Sequence, residues 1–242
     1  GWGSDVIYFD FRKAFDSVSH PKLLTKLESY GISGNLLIWL RDFISDRVQA
    51  VRIEGRLSDT KHVTSGVPQG SVLGPTLFLR YINDITDILN NSVVFHKLFA
   101  DDIKLYSREG NSQGLQESIN QLVAWAEKWQ LQLAEEKCFV CRVGSPSIKN
   151  LSTLHSMNSY RPKLTTSISD LDVPCSVLTD RRLESPNYTI GTHELKTTEN
   201  TRDLGVIIDI NLKFKHHVTN IVRIASLRSR LVTKSFLSRD PA

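Results

Sequence analysis

Two places in the sequence set carboxylates where carboxylates are costly. Asp10 ends the apolar run Val6-Ile7-Tyr8-Phe9, and Asp101-Asp102 stands between Leu98-Phe99-Ala100 and the run from Ile103 to Tyr106. An ionised carboxylate in apolar surroundings is strongly unfavourable unless it is paired or binds a metal. Three brought together raise one another's pKa unless a divalent cation offsets their charge. Mg²⁺ suits such a site, because it takes oxygen ligands, keeps several waters, and shares one or two carboxylates with substrate phosphates. A plainer reading stands beside this one. An Asp-Asp pair at a hairpin tip is commonly only a turn, since Asp tolerates left-handed backbone and bonds its own chain. Asp10 alone reads as a strand-end cap, and Asp16 as the start of a helix.

The elements around these residues follow from periodicity. Val6 to Phe9 is a buried strand delivering Asp10. Ser19-His20-Pro21 opens a helix marked by Leu23, Leu24 and Leu27, which Gly31 stops. Leu36, Leu37, Leu40, Phe43 and Ile44 trace a second helix, and Val48 to Val63 reads as a hairpin around Glu54-Gly55. Ser65 to Ser71 is a loop by composition. Pro75 then opens a long helix through Phe78, Tyr81, Ile82, Ile85 and Leu89. A strand across Val93 to Ala100 meets Asp101-Asp102, Ile103 to Tyr106 returns, and Leu115, Ile119, Leu122, Ala126 and Trp129 mark another helix face. From Gly144 to about Ser185 periodicity is lost in a Ser/Thr/Asn/Pro-rich stretch, the mark of an insertion or flexible loop. Leu204 to Ile208 reads as a strand, and a helical tail from about His216 turns Val218, Ile221, Val222, Ile224 and Leu227 inward. Hairpins mixed with helices favour an α+β fold over a Rossmann sheet.

Composition narrows the class. The 242 residues are 40% hydrophobic and 23% charged, ordinary for a globular chain. No apolar run approaches the ~20 residues of a membrane span. Cys138, Cys141 and Cys175 are too few and odd in number for a disulfide scaffold. They point to a reducing, intracellular setting, nuclear or cytoplasmic. No second Cys or His pair follows Cys138 and Cys141 at zinc-finger spacing, so they read as half-buried strand residues. The net charge of +4 is modest, but Lys213, Lys215, Arg223, Arg228, Arg230, Lys234 and Arg239 face only Asp240 after Asn211. A basic amphipathic tail suits phosphate contacts. The first residue is Gly1 and the only methionine is Met157, so the chain is expected to begin inside a longer reading frame.

The order of motifs is more specific than any one of them. Asp10-Phe11-Arg12-Lys13-Ala14-Phe15-Asp16, then Gly66-Val67-Pro68-Gln69-Gly70-Ser71, then Phe99-Ala100-Asp101-Asp102, resembles the reverse transcriptases. Ser71-Val72-Leu73-Gly74-Pro75 and Tyr81-Ile82-Asn83-Asp84 are similar to the non-LTR (LINE-type) branch in particular. The resemblance implies a right-hand polymerase palm of mixed helices and antiparallel sheet, with the fingers missing and a partial thumb. It implies RNA-directed DNA polymerisation, with an RNA template, a DNA primer, deoxynucleoside triphosphates and two Mg²⁺ ions. Asp10, Asp101 and the Phe11 carbonyl match the metal ligands, and Asp102 the third, supporting carboxylate. Phe15 matches the bulky residue that blocks a ribose 2′ hydroxyl. Gln69 and Gly70 match the loop touching the incoming nucleotide, and Phe99-Ala100 the pair at the primer end. Lys137 matches the lysine that protonates pyrophosphate, and Leu204-Gly205 the primer grip.

By this reading residues 1–143 form the palm core, 144–195 a polar insertion or flexible loop, and 196–242 the primer-grip strand and start of the thumb. The sequence also departs from the family. Ala134-Glu135-Glu136 stands where Asn is usual, Arg80 replaces an aliphatic residue, and the segment between Lys137 and Leu204 is long. These departures keep open a catalytically dead relic that retains the palm and weak nucleic-acid binding. An RNA-dependent RNA polymerase shares such a palm, but Phe15 speaks against it.

Overall fold

A computed structural model describes residues 3–89, 93–107, 111–144 and 186–236. The described residues fall into two compact units, the larger comprising Ser4–Arg142 and Tyr188–Glu199. In chain order it holds β1 (Ser4–Phe9), α1 (His20–Ser29), α2 (Gly34–Ile44), β2 (Val48–Gln49), β3 (Arg52–Ile53), β4 (Arg56–Leu57) and β5 (Lys61–His62). There follow α3 (Leu73–Ile82), α4 (Ile85–Ile88), β6 (Val94–Phe99), β7 (Asp102–Ser107), α5 (Ser112–Trp129) and β8 (Phe139–Val143). The short strands β9 (Thr189–Ile190), β10 (His193–Glu194) and β11 (Lys196–Thr198) complete it. The smaller unit carries β12 (Asn200–Asp203), β13 (Val206–Asp209) and α6 (Lys215–Phe236).

The larger unit is built on a five-stranded sheet in the order β11-β8-β1-β7-β6. Antiparallel pairing sets Ile7 opposite Leu105 and Phe9 opposite Ile103, and all four are buried. Opposite residues in a ladder share a face, so these strands present one apolar surface to the helices. The α5 face of Leu115, Ile119, Leu122, Trp125 and Ala126 is buried too, and α5 packs on β6 and β7. The other face carries half-buried Tyr8 opposite Lys104. Apolar against helices and mixed on the other side is how an antiparallel sheet leaves one face open.

A buried cation ties three helices behind the sheet. Lys26 of α1 donates to the Tyr81 carbonyl of α3 and to Asp84 Oδ1 at 2.6 Å, and lies 3.6 Å from the centre of the Trp129 ring of α5. Trp125 Nε1 donates to the same Asp84 oxygen at 3.1 Å. Burial lowers the Lys26 pKa to about 8 against the partial support of Asp84.

Several expectations are corrected. The helix expected from Pro75 to Leu89 begins at Leu73 and breaks at Asn83-Asp84, where Asp84 turns to Lys26. Of the stretch 144–195, expected as a polar insertion or flexible loop, residues 186–195 include buried Tyr188, Ile190 and Leu195, and Tyr188 Oη donates to Asp5 Oδ2 at 2.8 Å. These three are spaced as a small hairpin that β11 then joins to β8 in parallel. Residues 145–185 lie outside the described residues. Leu204-Gly205, expected within a strand, form the turn between β12 and β13, with φ of 45° and 89°. Val218, Ile221, Val222 and Leu227 of α6, expected to face inward, are exposed. Cys138 and Cys141 are fully buried rather than half-buried. Arg80, where an aliphatic residue is usual, faces solvent with its guanidinium over the Tyr30 ring, as one of its two sequence readings has it.

Candidate active site at the sheet end

The sheet brings the sequence-flagged carboxylates to one end. Asp10 and Asp102 lie one step beyond the Phe9–Ile103 pair on neighbouring strands, about 5 Å apart by ordinary strand spacing. The Phe99–Asp102 pair closes the β6–β7 hairpin, with Ala100 and Asp101 as its two turn residues. Ala100 has φ 52° and Asp101 does not share the positive sign. A side chain in this conformation costs on the order of 1 kcal/mol relative to glycine. Phe99 stands 62% exposed at the tip, with Asp10 and Asp101 half-buried and Asp102 exposed.

The segment after α5 clamps the end of β1. Arg12 N–H donates to the Gln132 carbonyl and Ala134 N–H to the Asp10 carbonyl, both at 2.8 Å, around a Phe11–Leu133 bridge. In such a pair the central residue's own N–H and C=O point away from the partner strand. The Phe11 carbonyl is thus not consumed by this bridge, while its ring is buried beside Trp125. The Glu135–Lys137 turn adds two ion pairs: Lys137 Nζ to Asp10 Oδ2 at 3.0 Å, and Arg12 Nη2 to Glu136 Oε2 at 2.9 Å. The hydrogen bond and charge of Asp10 hold the Lys137 pKa above its ordinary value. The Glu136 backbone N–H and the Arg12 guanidinium hold Glu136 below the usual carboxylate range.

The Gln69 loop docks on the turn that follows Asp10. Gln69 Nε2 donates to Asp16 Oδ1 at 2.8 Å, and Ser65 Oγ to the Asp16 carbonyl at 2.8 Å. Gly66 N–H donates to Val18 O, Val67 N–H to Phe15 O, and His20 Nε2 meets Gly66 O at 2.8 Å. Gly66 has φ +92°, and a Cβ there would lie 2.8 Å from Asp16 Cα, so this close approach requires glycine. A Cβ on Gly74 would sit 2.5 Å from the Pro68 carbonyl. Asp16 and His20, which the sequence alone marked as helix-start residues, are therefore the loop's anchors. Their signal lay only in partners some fifty positions away.

Phe15 is half-buried between an aromatic neighbour and a small cavity. It stacks on Phe78 with ring centres 4.2 Å apart, and with Pro68, Gln69, Gly70, Gly74 and Pro75 it lines a cavity of about 280 Å³. A larger polar cavity of about 740 Å³ lies between the Lys13 turn, the Gln69 loop and the base of the β2–β5 hairpin, with Lys13, Arg47 and His62 among its walls. Leu204 and Gly205 belong to the smaller unit and are described there alone.

Among the described residues no group of three His, Cys, Asp or Glu side chains converges closely enough to hold a metal. Mg²⁺ needs fewer, taking one or two carboxylates with substrate phosphates. The donors here fit that demand: they are hard oxygens, and Asp10 already draws a cation in the Lys137 ammonium.

Helix-backed antiparallel strands with carboxylates at a hairpin tip define a right-hand polymerase palm. Telomerase from Candida tropicalis, solved with a fragment of telomeric RNA, shares the fold: the TM-score is 0.50 at 14% identity, over 60% of this chain and 27% of that one. The chain belongs to the reverse transcriptase (RNA-dependent DNA polymerase) family, whose sequence profile matches residues 5–208. Its relatives include the RNA-directed DNA polymerases from mobile element jockey of Drosophila melanogaster and Drosophila funebris. They are 26% and 29% identical over 95% and 96% of this chain. A probable RNA-directed DNA polymerase from transposon BS of Drosophila melanogaster is 30% identical over 59% of the chain. These are non-LTR elements, and the chain spans about a fifth of the jockey proteins, 22% and 23%. Divalent metal ions are general to the family. Among the described residues no helix is long and apolar enough to cross a membrane.

Proposed function

We propose that this chain is the catalytic palm of an RNA-directed DNA polymerase, extending a DNA primer on an RNA template from deoxynucleoside triphosphates. The observation that carries the reading is the placement of Asp10, Asp101 and Asp102 at the same end of the sheet, on the end of one strand and the adjoining hairpin tip. Asp10, Asp101 and the Phe11 carbonyl would hold two Mg²⁺ ions, with Asp102 in support. When bound, such ions lower the pKa of the primer 3′ hydroxyl and stabilise charge on the triphosphate.

The chain's own residues carry the remaining work. The primer 3′ hydroxyl loses its proton to water, its oxygen attacks the α-phosphorus, the bond from that phosphorus to the α–β bridging oxygen breaks, and pyrophosphate leaves. Lys137, an ammonium near neutral pH as an ordinary lysine is, would supply a proton to that pyrophosphate. Phe15, wedged between Phe78 and the cavity, closes the space a 2′ hydroxyl would need. Gln69, held by Asp16, and Gly70, with φ +76°, let backbone approach the nucleotide. Phe99 and Ala100 at the tip support the primer end, and Leu204-Gly205 act as the primer grip. The retained carboxylates and the intact Gln69–Asp16 bond speak against the dead-relic reading.

The test grafts residues 1–242 in place of the aligned segment of the Drosophila melanogaster jockey polymerase and measures primer extension on an RNA template with Mg²⁺. Templated incorporation of deoxynucleotides is expected. A graft that folds and binds template yet incorporates nothing would favour the relic.

A further inference from the structure

We infer that Lys137 is the resident counter-ion of Asp10, a positioning residue whose ammonium a divalent cation must displace before the site is charged for catalysis. The inference rests on the reading of Asp10 as a metal-holding carboxylate.

The geometry is specific. Lys137 Nζ lies 3.0 Å from Asp10 Oδ2, the contact a cation makes with a carboxylate it neutralises. The Arg12–Glu136 pair and the two backbone hydrogen bonds around Phe11 and Leu133 fix the Lys137 turn against β1. The ammonium therefore extends to Asp10 from a turn held by three contacts to β1 and the residues after it. Asp10, with its side chain 35% exposed, sits at a sheet end where Asp101 and Asp102 also gather negative charge. A cation on Asp10 offsets that repulsion when no divalent ion is bound.

The consequence is an exchange. Oδ2 offers its lone pairs to the ammonium or to a divalent ion, and a doubly charged ion bound there repels the ammonium that remains nearby. Metal entry thus breaks the ion pair and frees Lys137 to turn toward a pyrophosphate oxygen. The proton donor is held on Asp10 until the site is loaded. With Lys137 62% exposed, the competing pair is weak, as solvent-exposed pairs are. Its removal should tighten divalent binding by about tenfold once the residual repulsion is included.

The experiment measures Mn²⁺ binding to the chain by electron paramagnetic resonance, without nucleotide or nucleic acid, for wild type, Lys137→Met, Lys137→Arg and Asp10→Asn. Lys137→Met is expected to bind Mn²⁺ about tenfold more tightly than wild type, and Lys137→Arg to stay within about threefold of it. A lysine that merely braced the site would give the opposite sign, because its loss would weaken binding. Unchanged or weaker binding by Lys137→Met overturns the exchange, and so does Lys137→Arg binding as tightly as Lys137→Met. Asp10→Asn separates the two claims. If it leaves Mn²⁺ binding unaltered, the reading of Asp10 itself fails. If it lowers binding while Lys137→Met changes nothing, only the exchange fails.

Discussion

Phe15 stacks on Phe78 and borders the small cavity beside the Gln69 loop, and the proposed role adds sugar selection to that packing. In the grafted polymerase, Phe15→Val is expected to lower discrimination against ribonucleotides by at least about tenfold, roughly 1.4 kcal/mol in relative transition-state binding. The check is a competition between deoxy- and ribonucleotides on one template. An unchanged ratio would leave Phe15 as packing alone. The carboxylates were legible at this scale because apolar strands delivered them, which is a local pattern. Asp16 was not, because its role exists only once Gln69 has folded back onto it.

The elements hold these residues by close backbone approach and by one buried charge. Gly66→Ala places a methyl group 2.8 Å from the Asp16 backbone in a left-handed conformation. It is expected to cost about 2–4 kcal/mol, combining overpacking with a strained dihedral, and urea unfolding of the chain measures it. A cost under about 0.5 kcal/mol would mean that the loop is not seated on the Asp16 turn. Lys26 gives a pH signature. Burial lowers its folded pKa to about 8 from the ordinary 10.5. Below pH 8 both folded and unfolded forms carry the proton, and between 8 and 10.5 the unfolded chain binds more. Stability from this residue therefore rises with pH across that window. The unfolding free energy of wild type relative to Lys26→Met should climb by about 1–2 kcal/mol between pH 7.5 and 9.5. A flat difference would show that the lysine is not desolvated. Helix and strand identities were readable from apolar spacing, since β1, α1, α2, β6, β7 and α5 all stand where periodicity puts them. The breaks were not. Leu204 to Ile208 is an unbroken apolar-and-glycine run, yet Leu204-Gly205 turn because Thr201 and Ile208 pair across them. Asp84 interrupts a helical pattern because a lysine on another helix requires its carboxylate.

At the scale of the molecule, the carboxylates, the Gln69 loop and the Lys137 turn all belong to the larger unit, built on one sheet end. The smaller unit contributes a hairpin and the basic helix α6, in which Asp209 links the two by accepting from the amides of Asn211, Lys213 and Phe214. The central claim is that Asp10 at the end of β1 is a metal-holding carboxylate of nucleotidyl transfer. The measurement that tests it most directly is primer extension by the jockey graft with and without Asp10→Asn, on one RNA template in Mg²⁺, with circular dichroism confirming equal folding. Loss of one charge-stabilising group in a polar active site is commonly worth ~10³ in rate. The expected result is extension by the wild-type graft and a fall of at least about 10³-fold in the variant. Extension by Asp10→Asn within tenfold of the wild-type graft would contradict the account.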